Sequence, residues 1–162
     1  TQVKWLTRIT VATEPFTGYQ QVDSYQYIPA DDGSGRPVTR MRPRSLMIPP
    51  GIPDFLTRER RLTPGPCRLE GRAWSGRGPI ERVEVSVDGG ASWADAGLGT
   101  PIGPDAWVGW NWDWDASERG RYELCSRATD ATGTTQPLEQ DWNEQGMENN
   151  AVQRVSVTVQ TP

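Results

Sequence analysis

The sequence predicts an all-β fold, a two-sheet antiparallel sandwich. Three observations carry this reading. Val83, Val85 and Val87 alternate with Glu84, Ser86 and Asp88, which gives a strand with one apolar and one polar face. The 162 residues include 17 glycines and 14 prolines, a turn-rich composition. The segments between those turns are strand-length, with no helical periodicity separating them.

The elements follow in chain order. Val3–Val11 reads as a first strand with Trp5, Ile9 and Val11 on one face, ended by Glu14-Pro15-Phe16-Thr17-Gly18. Tyr19–Ile28 is polar and aromatic and is left without a type. Asp31–Gly35 is a loop by composition, and Val38–Ile48 reads as extended. Pro49–Pro53 must be irregular, because each proline fixes φ and removes a donor. Strands are expected at 67–75, 80–88, 92–97, 106–114, 120–129 and 151–160. Asp88-Gly89-Gly90 supplies the tight turn after the alternating valines. The chain is read as one domain, 1–162, with an irregular Pro- and Arg-rich part at 13–66 and regular strands from 67 onward.

Composition limits the chemistry. There is no histidine, which removes Ser-His-Asp and Cys-His nucleophilic sites and every histidine metal site. Two cysteines, Cys67 and Cys125, cannot close a zinc shell; they read as free buried thiols, with a disulfide joining two strands of the sandwich as the alternative. No carboxylate pair sits in an apolar setting that would raise a pKa, so no hydrolase pair is assigned. Asp113, Asp115 and Asp130 lack the spacing of a calcium loop, and no metal site is assigned. A net charge of −4 argues against a nucleic-acid partner, and no apolar run is long enough for a membrane span. The first residues carry no signal-peptide pattern and no initiator methionine. The expectation is therefore a soluble chain processed or cut from something longer, with no compartment assigned.

Three motifs remain. Ser86, Asp88, Gly90, Ser92 and Trp93 fit S-x-D-x-G-x-[ST]-W, the Asp box of sialidase propellers, where it braces a hairpin. A propeller needs more chain than is present here, so the match reads as a stapled turn. Trp110, Trp112 and Trp114 share one face of a strand. That face is either core or interface, or else an exposed sugar-binding platform, which would make the chain a carbohydrate-binding module. Seven arginines lie between Arg36 and Arg61, including Arg40-Met41-Arg42-Pro43-Arg44, and read as solvated surface or an oxyanion contact. The acidic segment Leu138–Glu148 has no basic residue.

Taken together, V-K-W-L at Val3–Leu6, M-R-P-R-S-L at Met41–Leu46, G-R-A-W-S-G at Gly71–Gly76, V-E-V-S-V-D-G-G at Val83–Gly90, C-S-R-A-T-D at Cys125–Asp130 and W-N-x-x-G at Trp142–Gly146 form an ordered set. That set resembles the C-terminal dimerisation domain of the sulfite oxidase family of molybdopterin enzymes, which includes assimilatory nitrate reductases. The resemblance implies an immunoglobulin-like (E-set) sandwich that pairs subunits as a homodimer and performs no catalysis itself. It implies that the molybdopterin-molybdenum cofactor belongs to a preceding domain of the full-length parent. Residues 1–12 would then be the trailing edge of that domain plus the first strand, with Gln2, Val3 and Lys4 as remnants of the cofactor site. The resemblance also implies that animal sulfite oxidases send an arginine to the substrate pocket from the W-N-x-x-G segment. Gln145 stands at that position here, which makes Arg42 and Arg44 the candidates to replace it.

Overall fold

The computed structural model describes residues 3–31, 33–103 and 106–161. It divides the chain into two compact units: residues 1–38 with 142–147, and residues 39–141 with 148–162.

The first unit holds little regular structure. A single π-helical turn, Gln20–Ser24, leads into β1 (Gln26–Tyr27), which pairs antiparallel with β2 (Arg36–Pro37). Pro29 bridges to Asn143, and Glu144 donates its amide to the Ile28 carbonyl. The strand expected over Val3–Val11 is absent: none of those residues pairs, and Trp5, Ile9 and Val11 are exposed. The apolar alternation is real, but a strand also needs a neighbour to take its backbone groups, and none of the described residues lies alongside to do so.

The second unit is the immunoglobulin-like sandwich. Its strands are β3 (Arg44–Ile48), β4 (Ile52–Pro53), β5 (Arg60–Leu62), β6 (Gly65–Trp74), β7 (Ile80–Ser86), β8 (Ala94–Asp95), β9 (Gly97–Leu98), β10 (Val108–Ala116), β11 (Gly120–Asp130) and β12 (Arg154–Val159). One sheet runs β3-β6-β10-β9 and the other β4-β5-β12-β11-β7-β8. Every pairing is antiparallel except β5 with β12. The six predicted strand regions are present with small shifts of their ends. The 92–97 strand proves to be two, β8 and β9, which belong to different sheets. The chain changes sheets at Ala96, whose amide still bonds the Val83 carbonyl at 2.8 Å. The stretch 13–66 is also more ordered than its composition predicts, since β3 is a full partner of β6 and buries Ser45 and Met47.

The core lies between the sheets and is built from the inward residues of both. Leu69, Ala73, Val108, Trp110, Trp114 and Ala116 come from one side, and Val83, Val85, Leu124, Ala128, Val155, Val157 and Val159 from the other. Gln136 ties the layers together: its Oε1 accepts from the amides of Ser45 on β3 (2.7 Å) and Ala128 on β11 (3.3 Å). The Ser45 and Ser126 hydroxyls add a buried bond of 2.8 Å between the same two strands. A fully buried side-chain amide needs such partners, because leaving it unpaired costs roughly 1–3 kcal/mol.

Candidate functional site

The tryptophan strand decides one question directly. Trp110 is 2% exposed and Trp114 6%, and Trp112 is half-buried against the same core. The shared face of the three rings therefore points inward. That face offers no platform for a sugar to stack on, and the carbohydrate-binding alternative built on Trp110, Trp112 and Trp114 is overturned. Trp114 meets the Tyr122 ring edge-on with centroids 4.9 Å apart, a geometry of the interior.

The Asp box is a brace, as the sequence implied. Ser86 Oγ donates to Asp88 Oδ1 (2.7 Å) and accepts from the Gly90 amide (2.8 Å). Asp88 accepts from the Ser92 amide (2.9 Å) and the Ser92 hydroxyl (2.6 Å). Gly89 and Gly90 sit at φ 74° and 96°, a region that side chains with a Cβ rarely occupy. On the neighbouring β7, Glu84 is buried although the alternation puts it on the polar face. Arg127 reaches it bidentately at 2.7 and 2.9 Å, and the same guanidinium lies 4.1 Å from the centre of the Trp93 ring.

These contacts predict an acid-sensitive fold. The Arg127 hydrogen bond holds the Glu84 carboxyl below its ordinary range despite burial, and the Ser92 and Ser86 bonds hold Asp88 lower still. A carboxyl whose pKa is depressed on folding adds stability above its unfolded value, near pH 4, and loses it as pH falls toward the folded value. The melting temperature should therefore hold from pH 7 to about 5 and drop below about 4. Arg127→Ala should lower it at neutral pH and flatten the acid-side drop. An unchanged acid slope in thermal melts of that variant would contradict the assignment.

The arginine candidates lie together. Arg42 and Arg44 line a cleft of about 390 Å³ with Leu46, Trp74, Glu148 and Asn149. Arg42 Nε donates to Glu148 Oε2 at 2.7 Å, and the Glu148 side chain is buried. Arg44 donates to the Asn149 carbonyl at 2.8 Å, and Asn150 Nδ2 to the Pro43 carbonyl at 3.0 Å. These bonds pin residues 148–150 alongside β3. Gln145 belongs to the first unit, where its Nε2 donates to the Asp23 carbonyl (2.6 Å) and its Oε1 accepts from the Gln26 amide (3.3 Å).

Val3 and Lys4 are exposed, and Gln2 lies outside the described residues. Cys67 and Cys125 are free thiols on opposite sheets, both pushed up in pKa by burial. They are poor thiolate donors for a metal. Asp130 is fully buried and accepts from Ser75 Oγ (2.7 Å) and Thr132 Oγ1 (2.6 Å), while Asp113 and Asp115 are exposed. Among the described residues no group of three candidate ligands could hold a metal ion.

Some side chains that shape the fold and its surface carried no signal in the sequence. The buried partner role of Glu148 and the inter-layer role of Gln136 depend on residues about a hundred positions away. Phe55 and Leu56 sit in the irregular stretch, where no periodicity marks them.

Comparison with known proteins gives a consistent result. The family model of the Mo-co oxidoreductase dimerisation domain matches residues 36–160. The NADH nitrate reductases of Solanum lycopersicum and Hordeum vulgare are each 31% identical over 99% of this chain, which covers 20% of theirs. The chain thus spans about a fifth of the length of these relatives. The crystal structure of the sulfane dehydrogenase SoxCD from Paracoccus pantotrophus superposes with a TM-score of 0.71 at 28% identity, covering 90% of this chain and 39% of that one.

Proposed function

The chain belongs to the Mo-co oxidoreductase dimerisation domain family, and from that premise we propose that it is a non-catalytic assembly domain that pairs two copies of a molybdopterin-dependent oxidoreductase about a two-fold axis. The observation that carries this is the family match, which takes in every strand of the sandwich. The whole of 1–162 acts in this reading as one assembly domain behind a cofactor-bearing domain of the parent. Nucleic acid and membrane have no part in it. Among the described residues no helix is long and apolar enough to cross a membrane.

The parent is assigned to the sulfite oxidase-like class, in which sulfite and water give sulfate, two protons and two electrons. The resemblance of the motifs and the fold shared with a sulfane dehydrogenase support it. The plant relatives favour a second reading, nitrate reduction to nitrite. Gln2, Val3 and Lys4 are proposed to meet the molybdopterin in the parent, where the Lys4 ammonium would suit a phosphate. Arg42 and Arg44 are proposed to take the role of the arginine that Gln145 replaces. Bound to the preceding domain, the molybdenum cofactor would supply the two-electron chemistry.

The test has two arms. Light scattering on the 162-residue chain should give twice its monomer mass at micromolar concentration, and a persistent monomer would overturn the assembly role. Steady-state assays of the full-length parent should show sulfite oxidation, and nitrate reduction in its place would move the parent to the second class.

A further inference from the structure

The turn between β4 and β5 is rigidly built yet presents bare apolar side chains. Asp54 Oδ1 accepts from the amides of Leu56 (3.2 Å) and Thr57 (2.9 Å), and Asp54 Oδ2 from Arg61 Nη2 (2.9 Å). The backbone closes from both ends, with Asp54 N on the Glu59 carbonyl and Arg58 N on the Asp54 carbonyl. The Thr158 hydroxyl on β12 donates to Glu59, fastening the turn to the six-stranded sheet. Despite this order, Phe55 is 82% exposed and Leu56 87%. Ordering a turn around two exposed hydrophobic side chains gains the isolated chain little beyond the Arg58 guanidinium 5.9 Å from the centre of the Phe55 ring, whereas a preorganised aromatic anchor is what an interface uses.

A receptor for that anchor lies beside it. Gly51, Ile52, Arg61, Leu62, Thr63 and Gln160 line a cleft of about 480 Å³ along the same hairpin. A projection and a hollow on one patch make it self-complementary, the property a two-fold interface requires. Strand-to-strand addition does not fit this edge. The outermost strand, β4, is two residues long, and one of them is Pro53, which has no amide to donate. Ile52, Phe55 and Leu56 together offer on the order of 400 Å² of apolar surface, against ~800 Å² per partner in an interface of standard size. Arg58 and Arg60 supply polar rim to the patch.

We propose that the β4–β5 hairpin is the surface by which this chain docks on a second copy of itself, with Phe55 and Leu56 of each copy seated in the cleft beside Leu62 of the other. This rests on the assembly reading above and deepens it by naming the surface.

Analytical ultracentrifugation of the 162-residue chain and two variants tests the proposal. Phe55→Asp with Leu56→Asp removes the projection, and Thr63→Trp fills the hollow. Each should raise the dimer dissociation constant by about 100-fold or more, with circular dichroism and melting temperature of the monomer unchanged. A wild-type dimer whose affinity moves less than threefold in both variants overturns this surface and leaves the assembly reading intact. A wild-type chain that stays monomeric overturns the assembly reading and this surface with it.

Discussion

Gly71→Ala should destabilise the sandwich by about 3 kcal/mol or more, the upper end for overpacking a closed interior. Gly71 sits mid-strand on β6, facing Met47 on β3 and Trp110 on β10. A Cβ there would stand 2.3 Å from the Leu46 carbonyl oxygen and 2.3 Å from the Trp110 ring. The first obstacle is strand backbone and the second is a buried indole, so neither can step aside cheaply. Glycine-to-alanine changes usually stabilise where the site accepts the methyl group, because they restrict the unfolded chain. Here packing reverses the sign. Gly103, with nothing within 4 Å of an added Cβ, is the control and should tolerate alanine within about 0.5 kcal/mol. Guanidinium unfolding of both variants measures the contrast. A Gly71→Ala midpoint equal to wild type would mean the two sheet partners are looser than the structure shows.

Trp110→Ala should cost about 3–5 kcal/mol, the range for emptying a large aromatic site in a core. Trp110 is the largest of the fully buried side chains. Its indole Nε1 has no acceptor among the described residues, so its contribution there is packing. Trp110→Phe, which keeps an apolar ring and gives up no hydrogen bond, should therefore cost clearly less than alanine. Equal losses for the two would point to a hidden polar partner. The two sites also couple, because Trp110 covers Gly71. Trp110→Leu should offset part of the Gly71→Ala loss and no more, since the Leu46 carbonyl remains in the way.

How much of this was legible beforehand depended on the range of the interaction. The alternation at Val83–Val87 and the turn at Asp88–Gly90 are local, and both appear where the sequence placed them. The Asp box was also readable, because all its bonds close within four residues. Val3–Val11 shows the limit of the same signal, for alternation describes two faces but cannot supply the neighbouring strand. The Trp110, Trp112 and Trp114 face was readable as a face, but whether it turned to solvent was not. The second sheet settles that, and it buries the face.

The candidate site divides in the same way. The order of the motifs along the chain is enough to point to the family. The ties of Arg42 to Glu148 and of Ser45 to Gln136 join residues 106 and 91 positions apart, and no local pattern encodes them. The ordered turn at Asp54–Glu59 was hidden for a related reason: a proline-rich stretch looks irregular until β12 gives it an edge to lie against. By itself, then, the sequence determined the strand faces, the tight turn, the all-β class and the family. Backbone preference and side-chain alternation act over two to five residues, so they can be read locally and hold wherever a neighbouring strand takes up the backbone. Only the tertiary structure decided which faces close on each other, which arginine meets the buried Glu148, and which apolar residues stay bare. Those outcomes depend on which distant segments meet, and burial is a property of the meeting.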